Sequence, residues 1–563
     1  MKSSLLILVK KNYLVFLILA IFVHQLLFLS SRYRINDDEG MALIASGGFD
    51  GLPSGRLIFV NCVLGFVISN LYIFEPSVSW YAVLQVFSVL FSGLVFLKTI
   101  TSFCNNKFSS FLNLLLNSLV FILVVFLVKW NTASINYSST AFQCSVFGLG
   151  SLLLAIEGNL TGLTWLSGAV SVLGFLWRQD AFLGTFIFFV PLMAISLFNK
   201  DRRRVFKVWF TLAFAAMSTY FLNLYMYLGY PAWADYYRYN RARGLLHGNI
   251  SFDEVQDGAN FTQNLADAGM SRESFLLFDN WFIEPKTMNL KSLRFLGSLV
   301  ERPKISEIFL GMVSKQTLAV LFVTIFLMGL SSLFFKFSLK VIITLVVINL
   351  SIFSFLFSYL SNNIRLPIYV EEGFALSCLV VLLISTLLFS QFKTSRFEDK
   401  IASHQRSPRI FVAILTSLVL IIFADWKKDQ RLELSQAEFD KKIQVLIDYE
   451  RKPSFPTPGF ADWLGDPFVP HSLFKAKLIP RGWLSGSPII DQALKNFKVS
   501  PTISESLING EVLLTEDFMS DDILKYFNRE FRVCGKFVLH DSEVFKSYIF
   551  QREACKGFVF EIS

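Results

Sequence analysis

The sequence predicts a mainly α-helical protein that crosses a membrane many times. Of its 563 residues, 53% are hydrophobic and only 17% are charged, which is too little charge to cover the surface of a soluble protein. The mean hydropathy is +0.52. The apolar residues form nearly charge-free blocks of about 17–24 residues, the length that a helix needs to cross the hydrocarbon core of a bilayer. These observations together predict a polytopic helical bundle.

Eleven of these blocks are predicted to span the membrane. Residues 57–74 are also apolar, but a span there would place the basic cluster at 200–207 opposite the basic N-terminus. Lys and Arg concentrate on the cytoplasmic side of membrane proteins, so we predict that 57–74 form a helix lying in the outer interface. The predicted spans are 12–30, 77–97, 109–129, 139–156, 161–177, 181–198, 206–228, 316–336, 341–360, 367–390 and 408–424.

This topology predicts a protein of the inner or plasma membrane with a cytoplasmic N-terminus and an extracytoplasmic C-terminus. Much of the net charge of +9 lies beside the predicted spans, where it sets topology. The expected partner of this charge is therefore the lipid bilayer rather than nucleic acid. The predicted external segments are the loop 31–76 with its interfacial helix, the short loop 130–138 and the long loop 230–315.

Two domains follow from this topology, a membrane module at 1–424 and an extracytoplasmic C-terminal domain at 425–563. Short β-rich runs at 511–514 and 557–562, with helically spaced apolar residues between 439 and 446, predict a small α+β domain. Cys534 and Cys555 both fall in this domain and could form a disulfide in an oxidising compartment, which the sequence leaves open.

An acidic triplet, Asp37-Asp38-Glu39, directly follows the first predicted span. Three adjacent carboxylates repel one another and raise one another's pKa values unless a cation or a donor lies nearby. A solvated helix flank would explain them as well. Their position next to lipid and the turn-forming stretch from Ser46 to Arg56, which could fold the loop back onto the membrane surface, favour a function instead.

This loop resembles the first external loop of the GT-C glycosyltransferases. Residues 37–47, Asp-Asp-Glu-Gly-Met-Ala-Leu-Ile-Ala-Ser-Gly, resemble the loop that carries the essential aspartate of that superfamily. Residues 54–59, Ser-Gly-Arg-Leu-Ile-Phe, resemble the start of its juxtamembrane helix. The resemblance covers the general plan of about 1–400 and is specific near 36–72. By its Asp-Glu pairing, Asp38 is the best match to the essential aspartate, and the C-terminal domain aligns with no member.

The resemblance implies an enzyme that transfers a sugar from a polyprenyl-phosphate donor, with inversion, on the non-cytoplasmic side. Asp38, with Asp37 or Glu39, would act as the base, and Asp37 and Asp38 could bind a divalent cation such as Mg or Mn. The acceptor could be a cell-surface glycan, a lipid or a protein, and the sequence does not choose among them.

The leaving lipid phosphate needs cationic donors, for which the sequence offers Arg365, Arg56 and Arg178. Each has a structural alternative. Arg365, between two predicted spans, could snorkel to the interface. Arg178 could pair with Asp180, and Arg56 could anchor the interfacial helix.

Four further residues are candidates for the substrate cavity: Tyr137, Asp180, Tyr237 and Arg241. Tyr137 lies in the polar string 136–140, which could equally cap the helix that follows it. Tyr237 and Arg241 lie in a stretch rich in aromatic residues and arginine, which suits sugar stacking but also an aromatic belt at the membrane interface.

Other functions remain open from the sequence. A transporter or flippase of lipid-linked sugars predicts functional charges deep in several spans, whereas the charges here cluster at the predicted outer surface. A glycan polymerase or ligase would be an enzyme without an essential first-loop carboxylate. A non-catalytic envelope scaffold would use the external domain for binding alone.

Overall fold

The membrane part of the chain is mainly helical, with long apolar helices and a few shorter ones. They are α1 (Leu17–Leu26), α2 (Asn36–Ser46), α3 (Cys62–Phe74), α4 (Trp80–Lys107), α5 (Ser110–Ala133), α6 (Tyr137–Glu157), α7 (Thr161–Trp177), α8 (Gln179–Ser196) and α9 (Arg202–Leu228). The structure, a computed structural model, describes residues 14–15, 17–26, 31–49, 51–107, 110–197, 202–247, 260–299, 335–337, 347–349, 351–353, 367–392, 453–456, 467–468, 479, 482–515, 520–541 and 547–554.

The rest of the described chain forms shorter helices, one more long helix and small sheets. The helices are α10 (Pro231–His247), α11 (Phe261–Asp267), α12 (Arg272–Asp279), α13 (Leu290–Leu299), α14 (Ile368–Phe389), α15 (Pro488–Phe497), α16 (Ile503–Ile508) and α17 (Ser520–Phe531). The strands are β1 (Arg32–Tyr33), β2 (Ser134–Ile135), β3 (Phe335–Phe337), β4 (Ser390–Phe392), β5 (Ser454–Pro456), β6 (Leu513–Thr515), β7 (Cys534–Asp541) and β8 (Ser547–Glu553).

Within the described ranges, six helices are long and apolar enough to cross a membrane: α4, α5, α6, α8, α9 and α14. Each coincides with a predicted span. The helix α3 has 13 residues and is therefore about 20 Å long, short of the roughly 30 Å hydrocarbon core, as expected of the predicted interfacial helix. The predicted spans 316–336, 341–360 and 408–424 lie wholly or largely outside the described residues, so the count of eleven stays a prediction.

The helix α6 lies at the centre of the bundle. It packs against α4, α7, α8 and α14, and almost all of its residues are buried. Its many small and polar residues, among them Gln143 and Ser145, face neighbouring helices there rather than lipid. By contrast, α9 exposes Phe206, Phe210 and Phe214, whose rings stack in a ladder along its outer face, where lipid would cover them.

Two close contacts between small residues join α6 to α7. A Cβ atom added to Gly148 would lie 2.6 Å from the backbone nitrogen of Ser171, and one added to Gly174 would lie 2.7 Å from that of Ser145. Small residues let membrane helices approach backbone to backbone. This close approach increases van der Waals contact, which drives helix association in a membrane because the hydrophobic effect does not act between helices there. The glycines therefore set the separation of these two helices.

Buried amide side chains join α4, α5 and α6. Asn131 in α5 donates from Nδ2 to Oε1 of Gln143 in α6 over 2.7 Å. Gln143 in turn donates from Nε2 to the carbonyl oxygen of Val89 in α4 over 3.0 Å. Satisfied polar contacts in an apolar interior restrict how the helices can rotate against one another.

The C-terminal region contains a four-stranded sheet in the order β5-β6-β8-β7. β5 and β6 are parallel, and the other two pairs are antiparallel. The helices α15, α16 and α17 lie between these strands in the chain. The strand β6 confirms the one predicted at 511–514, whereas 557–562, the apolar run from 439 to 446 and the proposed boundary at 424 lie outside the described residues. Cys534 is disulfide-bonded, and Cys555 is likewise outside them.

Residues of the long loop and of the C-terminal region contact each other directly. Lys286 forms an ion pair with Glu505 at 3.0 Å, and the hydroxyl groups of Thr287 and Tyr526 lie 2.9 Å apart. Ser274 Oγ also donates to Glu530 over 3.0 Å. The helices α10 to α13 and the C-terminal region are therefore packed together.

Candidate functional site

Two very short strands bring the acidic triplet to its place. β1 pairs in parallel with β2, and the backbone N–H of Arg34 extends the pairing by donating to the carbonyl oxygen of Ile135 over 2.8 Å. The helices α2 and α6 begin directly after these strands. The pairing therefore sets the first turn of α2 against the first turn of α6, although about a hundred residues separate them.

The three carboxylates occupy the first turn of α2, where the exposed N–H groups of a helix favour negative charge. Consecutive residues of a helix point about 100° apart, so the three side chains have different surroundings. Asp38 and Glu39 are buried, and Asp37 is partly exposed.

Asp38 is held by four hydrogen bonds. Its Oδ1 accepts from Tyr81 Oη and Gln85 Nε2, both at 3.0 Å. Oδ1 also accepts from the backbone N–H of Tyr137 at 3.0 Å, and Oδ2 accepts from Asn136 Nδ2 at 3.2 Å. Burial raises the pKa of Asp38 to about 8, although these donors act to lower it. Asp38 thus fastens α2 to α4 and α6.

Asp37 lies within electrostatic range of two guanidinium groups, those of Arg178 and Arg243, and the side chain of Trp483 is also close to it. Burial raises the pKa of Asp37 above its ordinary value, and the two cations and the Trp483 side chain partly oppose this rise. Of the triplet, Asp37 is the carboxylate that combines partial exposure with cations within electrostatic range.

The residues present do not fit a bound metal ion. Within the described ranges, no group of three or more His, Cys, Asp or Glu side chains could hold one. Both oxygens of Asp38 already accept hydrogen bonds, and burial raises the pKa of Glu39 to about 8, which favours its neutral form. The divalent cation considered from the sequence therefore has no ligand set among these residues.

Arg178 and Tyr137, two of the predicted site residues, lie together. Arg178 Nη1 donates to Tyr137 Oη over 3.3 Å and to Ser138 Oγ, and the guanidinium lies 5.3 Å from the centroid of the Tyr137 ring. Tyr369 on α14 is also close to Arg178. Asp180 is exposed but within electrostatic range of Arg178.

Asn136 caps α6, as the sequence suggested for this polar string. Its side-chain oxygen accepts from the backbone N–H of Ser139 over 2.9 Å, while its amide nitrogen donates to Asp38. The ring of Tyr137 stacks against Phe59 at 6.1 Å. The helix cap and the site are thus formed by the same residues.

Arg56 has the contacts of an anchor. Its Nε donates to the carbonyl oxygen of Met226 over 3.2 Å, and its guanidinium lies over the rings of Tyr230 at 4.5 Å and Trp233 at 5.3 Å. It fastens the loop after α2 to the junction of α9 and α10. Arg365, the third phosphate-binding candidate, lies outside the described residues.

The site uses a different face of α10 from the one that the sequence indicated. Arg241 is exposed, and Tyr237 is half-buried with its ring 5.8 Å from that of Tyr227. The buried face carries Tyr236, Tyr239 and Arg243, spaced three and four residues apart. This spacing places them on one side of a helix, a signal that could have identified Arg243.

Trp483 reaches the site from the C-terminal region. Its ring lies 4.9 Å from that of Phe59, and its carbonyl oxygen accepts a hydrogen bond from Tyr236 Oη at 2.7 Å. A Cβ atom on Gly40 would lie 2.9 Å from the indole, so α2 and Trp483 are in close contact. No local pattern in the sequence marks Trp483 as a site residue.

No protein-family model and no curated protein sequence matches the chain. A similar solved structure is the crystal structure of ArnT from Cupriavidus metallidurans bound to undecaprenyl phosphate. The TM-score is 0.39 and the sequence identity 9%, over 98% of each chain.

Proposed function

We propose that this protein is a membrane glycosyltransferase of the GT-C type, which transfers a sugar from a polyprenyl-phosphate donor to an acceptor hydroxyl. The proposal is carried by Asp37, a partly exposed carboxylate at the first turn of α2 that lies within electrostatic range of Arg178 and Arg243. A proton acceptor and two cations that could bind an anion thus belong to one region of the molecule. The resemblance of residues 36–72 to the GT-C first loop supports the same activity.

In the proposed reaction, Asp37 accepts the proton of the acceptor hydroxyl as its oxygen attacks the anomeric carbon. The attack comes from the face opposite the phosphate, and the bond between the anomeric carbon and the phosphate oxygen breaks. Polyprenyl phosphate leaves with the electron pair, and the anomeric configuration is inverted. Arg178 stabilises the negative charge that grows on the departing phosphate.

The assignment of the base to Asp37 differs from the motif match, which favoured Asp38. Both oxygens of Asp38 are engaged by fixed donors and its side chain is fully buried, so an acceptor hydroxyl has no access to it. Asp38 is therefore a positioning residue that fixes the first turn of α2, and with it the direction of Asp37.

Arg178 is a better phosphate ligand than Arg56. Its guanidinium donates to the Tyr137 hydroxyl group and lies within electrostatic range of Asp37, whereas that of Arg56 is covered by the rings of Tyr230 and Trp233. Arg178 follows α7 and precedes α8, at the end of the apolar bundle where a lipid-linked phosphate would lie. The acceptor, a glycan, a lipid or a protein, would approach from the side of α10 and Trp483.

The test is an Asp37→Asn variant assayed for transfer of labelled sugar from a polyprenyl-phosphate donor in membranes. Loss of a general base is expected to lower the rate by about 10²- to 10⁴-fold. Asp235→Asn is the matched control, because Asp235 is exposed on α10 and pairs only locally with Arg238 at 3.3 Å. Wild-type rates in Asp37→Asn would refute the proposal.

A further inference from the structure

Arg243 presents a buried guanidinium nitrogen that lacks a hydrogen-bond partner among the described residues. The residue is 5% exposed. Its Nε and Nη2 donate to Oδ1 of Asn240 at 3.0 and 2.8 Å, and the guanidinium lies 5.0 Å from the centroid of the Trp281 ring. Nη1 is left over. A buried cation with an unused donor is costly, and an anionic ligand would remove that cost.

Two further buried donors lie on the turn that faces the same side of α10. Ser485 Oγ and Ser487 Oγ are both buried and have no hydrogen-bond partner in the parts of the chain that the structure describes. The turn follows Trp483, whose carbonyl oxygen accepts from Tyr236, and a Cβ atom on Gly486 would lie 3.8 Å from Tyr239. The turn that carries the two serines therefore packs against the buried face of α10, the face to which Arg243 belongs.

We propose that Arg243, Ser485 and Ser487 form a subsite for an anionic group, a carboxylate or phosphate, on the saccharide that reacts at Asp37. The inference rests on the proposed function, and it names an acidic saccharide as the substrate class. Asn240 and Trp281 hold the guanidinium plane fixed, which suits directional binding of a planar or multidentate anion. Hydroxyl donors beside it suit the remaining oxygens of such a group.

The two arginines within electrostatic range of Asp37 then have separate ligands. Arg178 belongs to the helical bundle and would bind the phosphate of the lipid carrier, whereas Arg243 belongs to α10 and faces the C-terminal turn. The second anion could belong to the transferred sugar or to the acceptor. Both sources present the same chemistry to Arg243, so the experiment must separate them.

The first experiment measures the binding of glucuronate, inorganic phosphate and methyl glucoside to the purified full-length protein in detergent. The readout is the rise in unfolding temperature that each compound causes. We expect saturable stabilisation by glucuronate or phosphate and none by methyl glucoside. Arg243→Met is expected to weaken anion binding about 10- to 100-fold, the effect of losing a charged hydrogen bond. Arg238→Met, on the exposed face of α10, is the matched control and should bind as wild type does.

If Arg243→Met does not fold, the double variant Ser485→Ala, Ser487→Ala tests the same subsite and should also weaken anion binding. Equal stabilisation by glucuronate, phosphate and methyl glucoside would overturn the inference. Unchanged anion binding in both the arginine and the serine variants would do so as well.

The second measurement compares kcat/KM of the wild type and Arg243→Met for neutral and uronic acid forms of donor and acceptor. A selective loss with the acidic donor assigns the anion to the transferred sugar, and a selective loss with the acidic acceptor assigns it to the acceptor. An equal loss with neutral and acidic substrates would show that Arg243 is only a counter-ion of Asp37. Anion binding that depends on Arg243, without any sugar transfer by the wild type, would refute the proposed function but not the subsite.

Discussion

Asp37 and Asp38 are neighbours in the sequence, yet their side chains have different surroundings. Asp38 is enclosed by donors from α4 and α6, whereas Asp37 is partly exposed and within electrostatic range of Arg178 and Arg243. Helical geometry produces this separation, because one step along the chain turns the side chain by about 100°. An acidic pair at the start of a helix can therefore combine a structural and a chemical role.

Asp38→Asn is expected to lower stability. Both oxygens of Asp38 accept hydrogen bonds, and the asparagine would replace one of them by an N–H₂ group that faces a donor. The cost of such buried mismatches is about 1–3 kcal/mol. Thermal unfolding in detergent measures it, with Asp37→Asn as the comparison that should unfold at nearly the wild-type temperature. An unchanged unfolding temperature in Asp38→Asn would contradict the structural role.

The pH dependence of transfer should report Asp37. Because its pKa is raised above the ordinary value of 3.8, the active ionised form accumulates only at higher pH, and kcat/KM should rise through a midpoint above 3.8. The charge of Arg178 lowers this pKa, so Arg178→Gln should move the midpoint to still higher pH, besides lowering the rate. If the midpoint is unchanged in Arg178→Gln, the rise of kcat/KM with pH does not report the ionisation of Asp37.

At the scale of elements, the contact between α6 and α7 depends on positions where any side chain is too large. Gly174→Ala would force a Cβ atom to within 2.7 Å of the Ser145 backbone nitrogen, and overpacking of this kind costs about 1–3 kcal/mol. Gly168 lies on the same helix with nothing within 4 Å of its added Cβ, so Gly168→Ala is the matched control. Yield and unfolding temperature should fall in Gly174→Ala alone.

The sequence predicted these elements well where a long pattern specified them. Six apolar blocks are confirmed as helices of spanning length, since twenty or so apolar residues have few other stable conformations in a membrane protein. The cap at Asn136 and the strand β6 were also predictable, because both depend on neighbouring residues. The pairing of β1 with β2 was not, since two residues per strand leave no periodicity to detect.

At the scale of the whole molecule, an ion pair connects the two ends of the membrane part. Arg34, just before α2, donates from Nη1 and Nη2 to the two carboxylate oxygens of Glu372 on α14, at 2.6 and 2.9 Å. Arg34 also lies 5.9 Å from the ring of Tyr369. The pair ties the segment that carries the acidic triplet to a helix more than three hundred residues later.

A double-mutant cycle of Arg34→Met and Glu372→Met should measure this connection. Because the Glu372 side chain is 41% exposed, water screens the pair, and the expected coupling free energy is about 1 kcal/mol. Unfolding temperatures of the wild type, both single variants and the double variant give the value. Additive effects of the two substitutions would show that the bidentate contact contributes nothing.

The parts of the site that the sequence did not predict depend on contacts across the whole chain. Trp483 meets Phe59 and Asp37 only because the C-terminal region folds over α10, and Arg243 points inward for the same reason. Of the candidates chosen from local composition, Arg178 and Tyr137 lie together, whereas Trp483 and Arg243 were not among those candidates. Their roles in catalysis stay predictions until the variants are measured.

The parallel pairing of β1 with β2 also has a consequence for biogenesis. A ribosome releases the chain from its N-terminus onward, so the acidic triplet emerges long before Asn136 and Tyr137, the residues that receive Asp38. Until the later segment has left the translocon, nothing holds the first turn of α2 in register. A nascent chain that ends before Asn136 therefore lacks two partners of Asp38, and the contact between Phe59 and Trp483 forms only after most of the polypeptide has been synthesised.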